Sequence, residues 1–193
     1  MPPWCRCCGV PLGIEGLCGA CRVRRPQFAY ARAALLYGGV AREAIHAFKF
    51  GGRRGLAHPL GDLLAGLGGA ALPGATPDVL VPVPLHPRRA RERGYNQALL
   101  LARRLEWAWG VPTVADDLRR VAPTRPQTDL DATERRRNVR DAFGGRRSDL
   151  IAGRHVLLVD DVLTTGATAG ECARILYRAG ATTDGVVTVA RAL

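Results

Sequence analysis

Two short stretches of this 193-residue chain concentrate residue types that could do chemistry. The first is VLLVDDVLTTGATAG at 156–170, where an apolar run ends in two adjacent carboxylates, Asp160 and Asp161, followed by Thr164, Thr165, Gly166, Ala167 and Thr168. Carboxylates at the carboxyl end of a buried strand stand where ligands bind in open α/β sheets. Hydroxyls and backbone N–H groups at a helix N-terminus form a cradle for phosphate, and Gly166 lets the backbone come close without a side chain in the way. Acids beside a phosphate repel it, unless the ligand is a sugar phosphate whose hydroxyls meet the acids while its phosphate sits in the cradle. The plainer alternative is a capped helix after a strand with both Asp solvated; two acids, three Thr and a Gly within nine residues argue against it.

The second stretch is Cys5-x-x-Cys8 followed by Cys18-x-x-Cys21, with Gly9 and Gly19 directly after the second and third of these. Two such knuckles supply four thiolates at tetrahedral reach, the pattern of a structural zinc site. A site closed by four thiolates folds its module and catalyses nothing. The alternative is a cluster of free or redox-active thiols. Cys7 has no spacing partner and reads as a bystander, and Cys172, set among Ala, Ile and Leu, as a buried apolar residue.

The elements that must position these groups follow from the apolar patterning. DVLVPVPL, HVLLVDD and TTDGVVTVARAL read as buried strands, the first two each followed by a polar loop and a helix, NQALLLARRLEWAW and ATAGECARILYRAG. GGVAREAIHAFKF and LAHPLGDLLAGLGGAAL read as further helices, the second weakened by its glycines. Apolar strands alternating with helices predict an α/β fold, a parallel sheet covered on both faces. Five of the six Cys fall in the first 21 residues, so residues 1–26 are expected to form a small zinc ribbon and 27–193 the main domain. RRVAPTRPQTDLDATERRRNVRDAF, polar and basic, reads as a mobile excursion between the two strand–helix units.

A composition of 47% hydrophobic and 23% charged residues excludes a disordered chain. There is no apolar run of roughly 20 residues for a membrane span and none at the N-terminus for a signal peptide, so a cytoplasmic location is expected. The net charge of +11 is segregated: residues 1–30 carry +3, 86–95 carry +3 and 119–147 carry +5, while the remainder balances. Segregated charge is an anion-binding footprint, for a small polyphosphate or for nucleic acid. Of the 28 basic residues 27 are Arg, so the single lysine, Lys49, suggests a place that needs a compact ammonium. The four His are dispersed without metal-ligand spacing.

The 156–168 segment resembles the phosphoribosyl-pyrophosphate loop of type I phosphoribosyltransferases. The whole chain is similar to the ComF family, competence-associated proteins that join a zinc ribbon to a phosphoribosyltransferase-like domain. The likeness runs from Cys5 to about Arg191 through FKFGGRR at 48–54, VPVPLHPRRARERGYNQALLLA at 81–102, RPQTDLDATERRRNVRDAF at 125–143 and VLLVDDVLTTGAT at 156–168. It implies a type I phosphoribosyltransferase-like sheet, a pyrophosphate-binding loop after the 79–83 strand, and a hood at Pro126 to Asn138 that closes over substrate. No motif identifies an acceptor base.

Phosphoribosyl transfer displaces pyrophosphate from the anomeric carbon through an oxocarbenium-like state and needs cations on the departing group. Arg88, Arg89, Arg91, Arg93 and the hood's Arg135, Arg136 and Arg137, with Lys49, are the candidate cations. Asp160 and Asp161 are the candidate catalytic acids, and magnesium would bridge pyrophosphate and ribose oxygens. Two functions stay open. One is a magnesium-dependent phosphoribosyltransferase; the other is a non-catalytic competence protein that binds single-stranded DNA or partner proteins and keeps the pocket as a regulatory or vestigial site. For nucleic acid the chain offers its basic segments with Tyr95, Trp107 and Trp109.

Overall fold

The computed structural model describes residues 3–68, 72–74, 76–122, 132–146 and 148–193. Four strands, β1 (Tyr30–Leu36), β2 (Val79–Pro82), β5 (His155–Leu163) and β6 (Thr183–Arg191), form a sheet of order β1-β6-β5-β2 in which every neighbouring pair is parallel. Because side chains alternate along a strand, each strand serves two cores. Leu80, Leu157, Val159, Val187 and Val189 face a core closed by the helices Gly39–Phe50, Ala57–Ala65 and Gln97–Trp109; Val79, Val81, Val156, Leu158 and Val186 face one closed by the helix Ala167–Arg178. The expected parallel sheet with helices on both faces is therefore what the sequence builds.

The apolar run ARAALLY lies in edge strand β1, paired with β6, and its residues contribute to both cores. Two segments depart from their sequence reading. HPRRARERG, expected as a loop, contains a helix at Pro87–Arg93: the His86 side chain accepts the Arg88 N–H, Pro87 occupies the first turn where its missing donor costs nothing, and Gly94 ends the helix in the left-handed conformation. The basic excursion holds a short antiparallel pair, β3 (Leu118–Arg120) with β4 (Phe143–Gly145), and a helix at Ala132–Val139; its residues 123–131 lie outside the described ones.

The N-terminal segment docks on the edge of the main sheet. The Ala31 N–H donates to the Cys7 carbonyl at 2.7 Å, and Cys5, Cys7, Cys8 and Cys21 share one core with Phe28 and Ala31. Gly9 takes a φ of +68° there, and a Cβ on it would stand 2.4 Å from the Ala31 carbonyl oxygen, so the knuckle can approach the strand only with glycine at this position. Among the described residues no helix is long and apolar enough to cross a membrane.

Asp184, near the start of β6, is fully buried, and neither of its carboxylate oxygens has a hydrogen-bond partner among the described residues. Burial raises its pKa to about 7. Asp160 is also raised to about 7, by burial and then by the neighbouring Asp161. An acid whose folded-state pKa exceeds its unfolded value of ~3.9 stabilises the fold only while protonated, so its contribution is complete below about pH 4 and is lost as pH rises through 7. Stability should accordingly fall between pH 4 and 8, and Asp184→Asn should flatten that fall. Urea unfolding at pH 5 and pH 8 measures both; an undiminished pH dependence in Asp184→Asn would remove the buried acid as its source.

Candidate functional site

The acids expected to act together are adjacent on β5, so the alternation of the strand directs them to opposite faces of the sheet. Asp161 turns toward the Gly39–Phe50 helix, where its buried Oδ1 lies 2.7 Å from the Nζ of Lys49. The single lysine is thus the partner of a site carboxylate. Burial alone would lower the Lys49 pKa, but the charge and hydrogen bond of Asp161 raise it, so the ammonium persists. Asp160 Oδ1 accepts the Asp161 N–H at 2.8 Å. The charges of Lys49 and of Arg120, from β3, pull the Asp160 pKa down but do not outweigh burial and Asp161.

The candidate cations separate into two groups. Arg93 is partly buried, donates to Gln97 Oε1 at 3.0 Å and lies over the Phe50 ring at 4.7 Å; burial lowers its pKa, while Asp161 and more weakly Asp160 oppose that shift. Arg89 is half-buried, and its charge acts on both Arg93 and Arg120. Arg88 instead pairs with Glu92 on the exposed side of its helix at 2.9 Å, and Arg91 is exposed. In the hood, Arg137 is exposed, and the side chains of Arg135 and Arg136, with hood residues 126–131, lie outside the described residues. Lys49, Arg93 and Arg89 are therefore the expected cations that gather toward the carboxylates.

Thr164, Thr165, Gly166, Ala167 and Thr168 form the turn from β5 into the Ala167–Arg178 helix. Gly166 is the N-cap residue, at a φ of +76°, and Thr165 Oγ1 accepts the Ala167 N–H at 3.4 Å. Glycine is favoured at 166 by this left-handed φ, and a Cβ there would also press on the Phe28 ring at 3.2 Å. Thr165 is exposed and Thr164 half-buried, so hydroxyls and helix N-terminus face the carboxyl edge of the sheet together. Three residues of this region escaped the sequence reading. Phe28 underlies Gly166; Arg120 is buried, over the Phe143 ring and within electrostatic reach of Asp160; and Arg191 donates to the Leu163 and Thr164 carbonyls at 3.0 and 2.5 Å. None has a spacing signal, because each reaches the site from a separate element.

The Sγ atoms of Cys5, Cys8, Cys18 and Cys21 lie within 4.8 Å of one another, with Cys8 and Cys18 3.6 Å apart. Tetrahedral zinc with Zn–S near 2.3 Å places sulfurs roughly 3.8 Å apart, so this donor set could hold such an ion. The Cys18 and Cys21 N–H groups point at Cys5 Sγ and Cys18 Sγ at 3.3 and 3.4 Å. Burial raises the Cys5 pKa, but amide donors from Cys18, Cys8 and Cys7 outweigh it and bring the thiol down to about 6, which favours the thiolate a metal requires. Cys7 is buried beside Cys21, outside the four.

A parallel α/β sheet with an acid–hydroxyl turn at its carboxyl edge and a four-thiol knuckle docked beside it defines the class. No family model matches the chain. It is 35% identical over 196 residues to the DNA utilization protein YhgH of Salmonella typhi, covering 98% of this chain and 84% of that one. It is 40% identical over 105 residues to competence protein F of Haemophilus influenzae, 54% and 46% of the two chains, and 29% identical over 185 residues to competence protein ComFC of Bacillus subtilis, 91% and 72%. The chain belongs to the ComF family. Among solved structures it overlaps an adenine phosphoribosyltransferase from Saccharomyces cerevisiae at a TM-score of 0.45 and 20% identity, covering 72% and 69% of the chains, and the glutamine phosphoribosylpyrophosphate amidotransferase of Bacillus subtilis at 0.44 and 22%, covering 68% and 25%. These overlaps are partial.

Proposed function

We propose that this protein binds phosphoribosyl pyrophosphate with magnesium at the carboxyl edge of its sheet and serves DNA uptake. One observation carries the ligand reading: the turn Thr164–Thr168, entered through the left-handed Gly166, opens the Ala167–Arg178 helix directly after two carboxylates, one of them held by Lys49. In this reading the 5-phosphate takes the Thr164–Thr168 turn and the ribose hydroxyls meet Asp160 and Asp161. The pyrophosphate meets Arg89 and Arg93, while Arg88 stays paired with Glu92 on the exposed side of its helix. Lys49 fixes the rotamer of Asp161 and balances its charge. The donor chemistry fits magnesium held through ligand oxygens and water rather than in a protein cage, because Asp161 is already engaged by Lys49. When bound, the ion would neutralise the pyrophosphate and so ease its departure with the electron pair of the anomeric C–O bond. Residues 1–26 and 27–193 act as two folding units in this proposal, the first closed around zinc. Calorimetric titration with phosphoribosyl pyrophosphate, with and without magnesium, tests the ligand.

The role in DNA uptake is supported by the relatives' names, DNA utilization protein and competence proteins F and ComFC. A second reading, a single-stranded-DNA track, is favoured by the exposed Arg22, Arg24 and Arg25, which lie outside the ligand turn. The aromatic candidates contribute little to such a track: the Tyr95 hydroxyl donates to the Phe48 carbonyl, Trp109 Nε1 to the Ala65 carbonyl at 3.2 Å, and Trp107, although exposed, is covered on one face by Arg104 at 4.1 Å. If the track exists, the affinity for an unstructured oligonucleotide should fall with salt at a logarithmic slope near −4, about −0.7 for each of five or six phosphates. Neutralising Arg22, Arg24 and Arg25 should flatten that slope by about 2. A slope near zero, or one unaffected by the three changes, would leave only the small-ligand reading.

A further inference from the structure

Arg191 ends β6, the second strand of the sheet, with its Cα paired to Leu163 of β5 on one side and Leu36 of β1 on the other. Its Nη1 donates to the carbonyls of Leu163 at 3.0 Å, of Thr164 at 2.5 Å and of Ala192, which are the entry to the ligand turn and the chain that follows β6. Its Nε donates at 3.2 Å to the carbonyl of Cys8, a member of the four-thiol cluster. One side chain thus holds the backbone of both sites. A guanidinium is a rigid planar fork, so the direction of one N–H fixes the others, which a flexible ammonium would not do.

The Cys8 carbonyl is itself positioned by the knuckle. The Cys5 N–H donates to the Val10 carbonyl at 2.7 Å and the Gly9 N–H to the Cys5 carbonyl at 3.0 Å, closing a turn that ends on the thiols. A metal that fixes the Cys5 and Cys8 sulfurs fixes this turn, and through it one anchor of Arg191. We propose that Arg191 is a positioning residue that couples the two sites, so that the metal state of the four-cysteine site sets the order of the Leu163–Thr168 turn. Coupling is reciprocal: a ligand that orders the turn tightens retention of the metal by the same factor. The link to phosphate affinity rests on the proposed function; the link between metal and turn order does not.

Hydrogen exchange of the full chain, zinc-loaded and after chelation, tests the mechanical link without any ligand. Chelation should speed exchange of the Gly170 and Ala192 amides, which donate to the Gly166 and Leu163 carbonyls of this turn at 2.8 and 2.9 Å, by roughly 5- to 150-fold, the usual span of such couplings, while the β2 amides stay protected. In Arg191→Lys, which keeps the charge and loses the fork, those amides should exchange fast whether or not zinc is present. Unchanged turn exchange in the chelated wild type would overturn the proposal. So would loss of protection across the whole sheet, or a full chelation response in Arg191→Lys, which would assign the coupling to Phe28 beneath Gly166. The wild-type comparison stands alone if Arg191→Lys fails to fold. A second arm measures zinc release to a chromophoric chelator, with magnesium and with or without phosphoribosyl pyrophosphate. Slower release with the ligand in wild type, and none of that slowing in Arg191→Lys, is expected; equal slowing in both would contradict the coupling. If phosphoribosyl pyrophosphate does not bind at all, the functional reading fails while the exchange result still decides the role of Arg191.

Discussion

Replacement of Cys18 by Ser should release the metal and unfold residues 1–26, the largest energetic effect expected anywhere in the chain. Binding to a four-thiolate site is folding free energy for a module that has little apolar core of its own, on the order of 10 kcal/mol at neutral pH. The wild type should carry one zinc per chain by elemental analysis, and Cys7→Ser should still carry it, since Cys7 lies outside the four-sulfur cluster. Zinc-free protein isolated without chelator would contradict this. Because Cys5, Cys7 and Cys8 share a core with Phe28 and Ala31, unfolding of the module should also expose Phe28, and partial loosening at the strand edge is expected beside intact circular dichroism from the sheet.

The second large effect is on ligand affinity. Asp160→Asn with Asp161→Asn should weaken phosphoribosyl-pyrophosphate binding at least a hundredfold. Each lost hydrogen bond to a charged group is worth roughly 1.5–3 kcal/mol, and 1.4 kcal/mol is tenfold in affinity. The geometry separates the two positions. Asp161→Asn also leaves Lys49 in a partly buried place without its counter-charge, so it should cost folding stability as well as affinity. Asp160→Asn removes an acid that burial and Asp161 already disfavour in its charged form, so its cost should fall on the ligand alone. Affinity and urea unfolding of each single variant distinguish these outcomes. Equal affinity in the double variant and the wild type would place the pocket elsewhere.

What could be read from the sequence was what repeats locally. The apolar runs of β2 and β5 and the two C-x-x-C knuckles are each written within a few residues. The pairing of Lys49 with Asp161 was foreshadowed only by the rarity of lysine, since the contact joins a helix and a strand far apart along the chain. That adjacent Asp160 and Asp161 part to opposite faces follows from strand geometry, but only once the strand is known to continue to Leu163 instead of stopping at the acids. Arg191 and Arg120 could not be distinguished among 27 arginines: what makes them parts of the site is the set of backbone carbonyls and rings around them, and only the fold assembles that set.

The most direct measurement is calorimetric titration of the zinc-loaded protein with phosphoribosyl pyrophosphate, with magnesium and without it, alongside an unstructured single-stranded oligonucleotide. Binding at one site per chain that requires magnesium and is lost in Asp160→Asn with Asp161→Asn is the predicted result. Heat from the oligonucleotide alone, with none from phosphoribosyl pyrophosphate in either condition, would contradict the account.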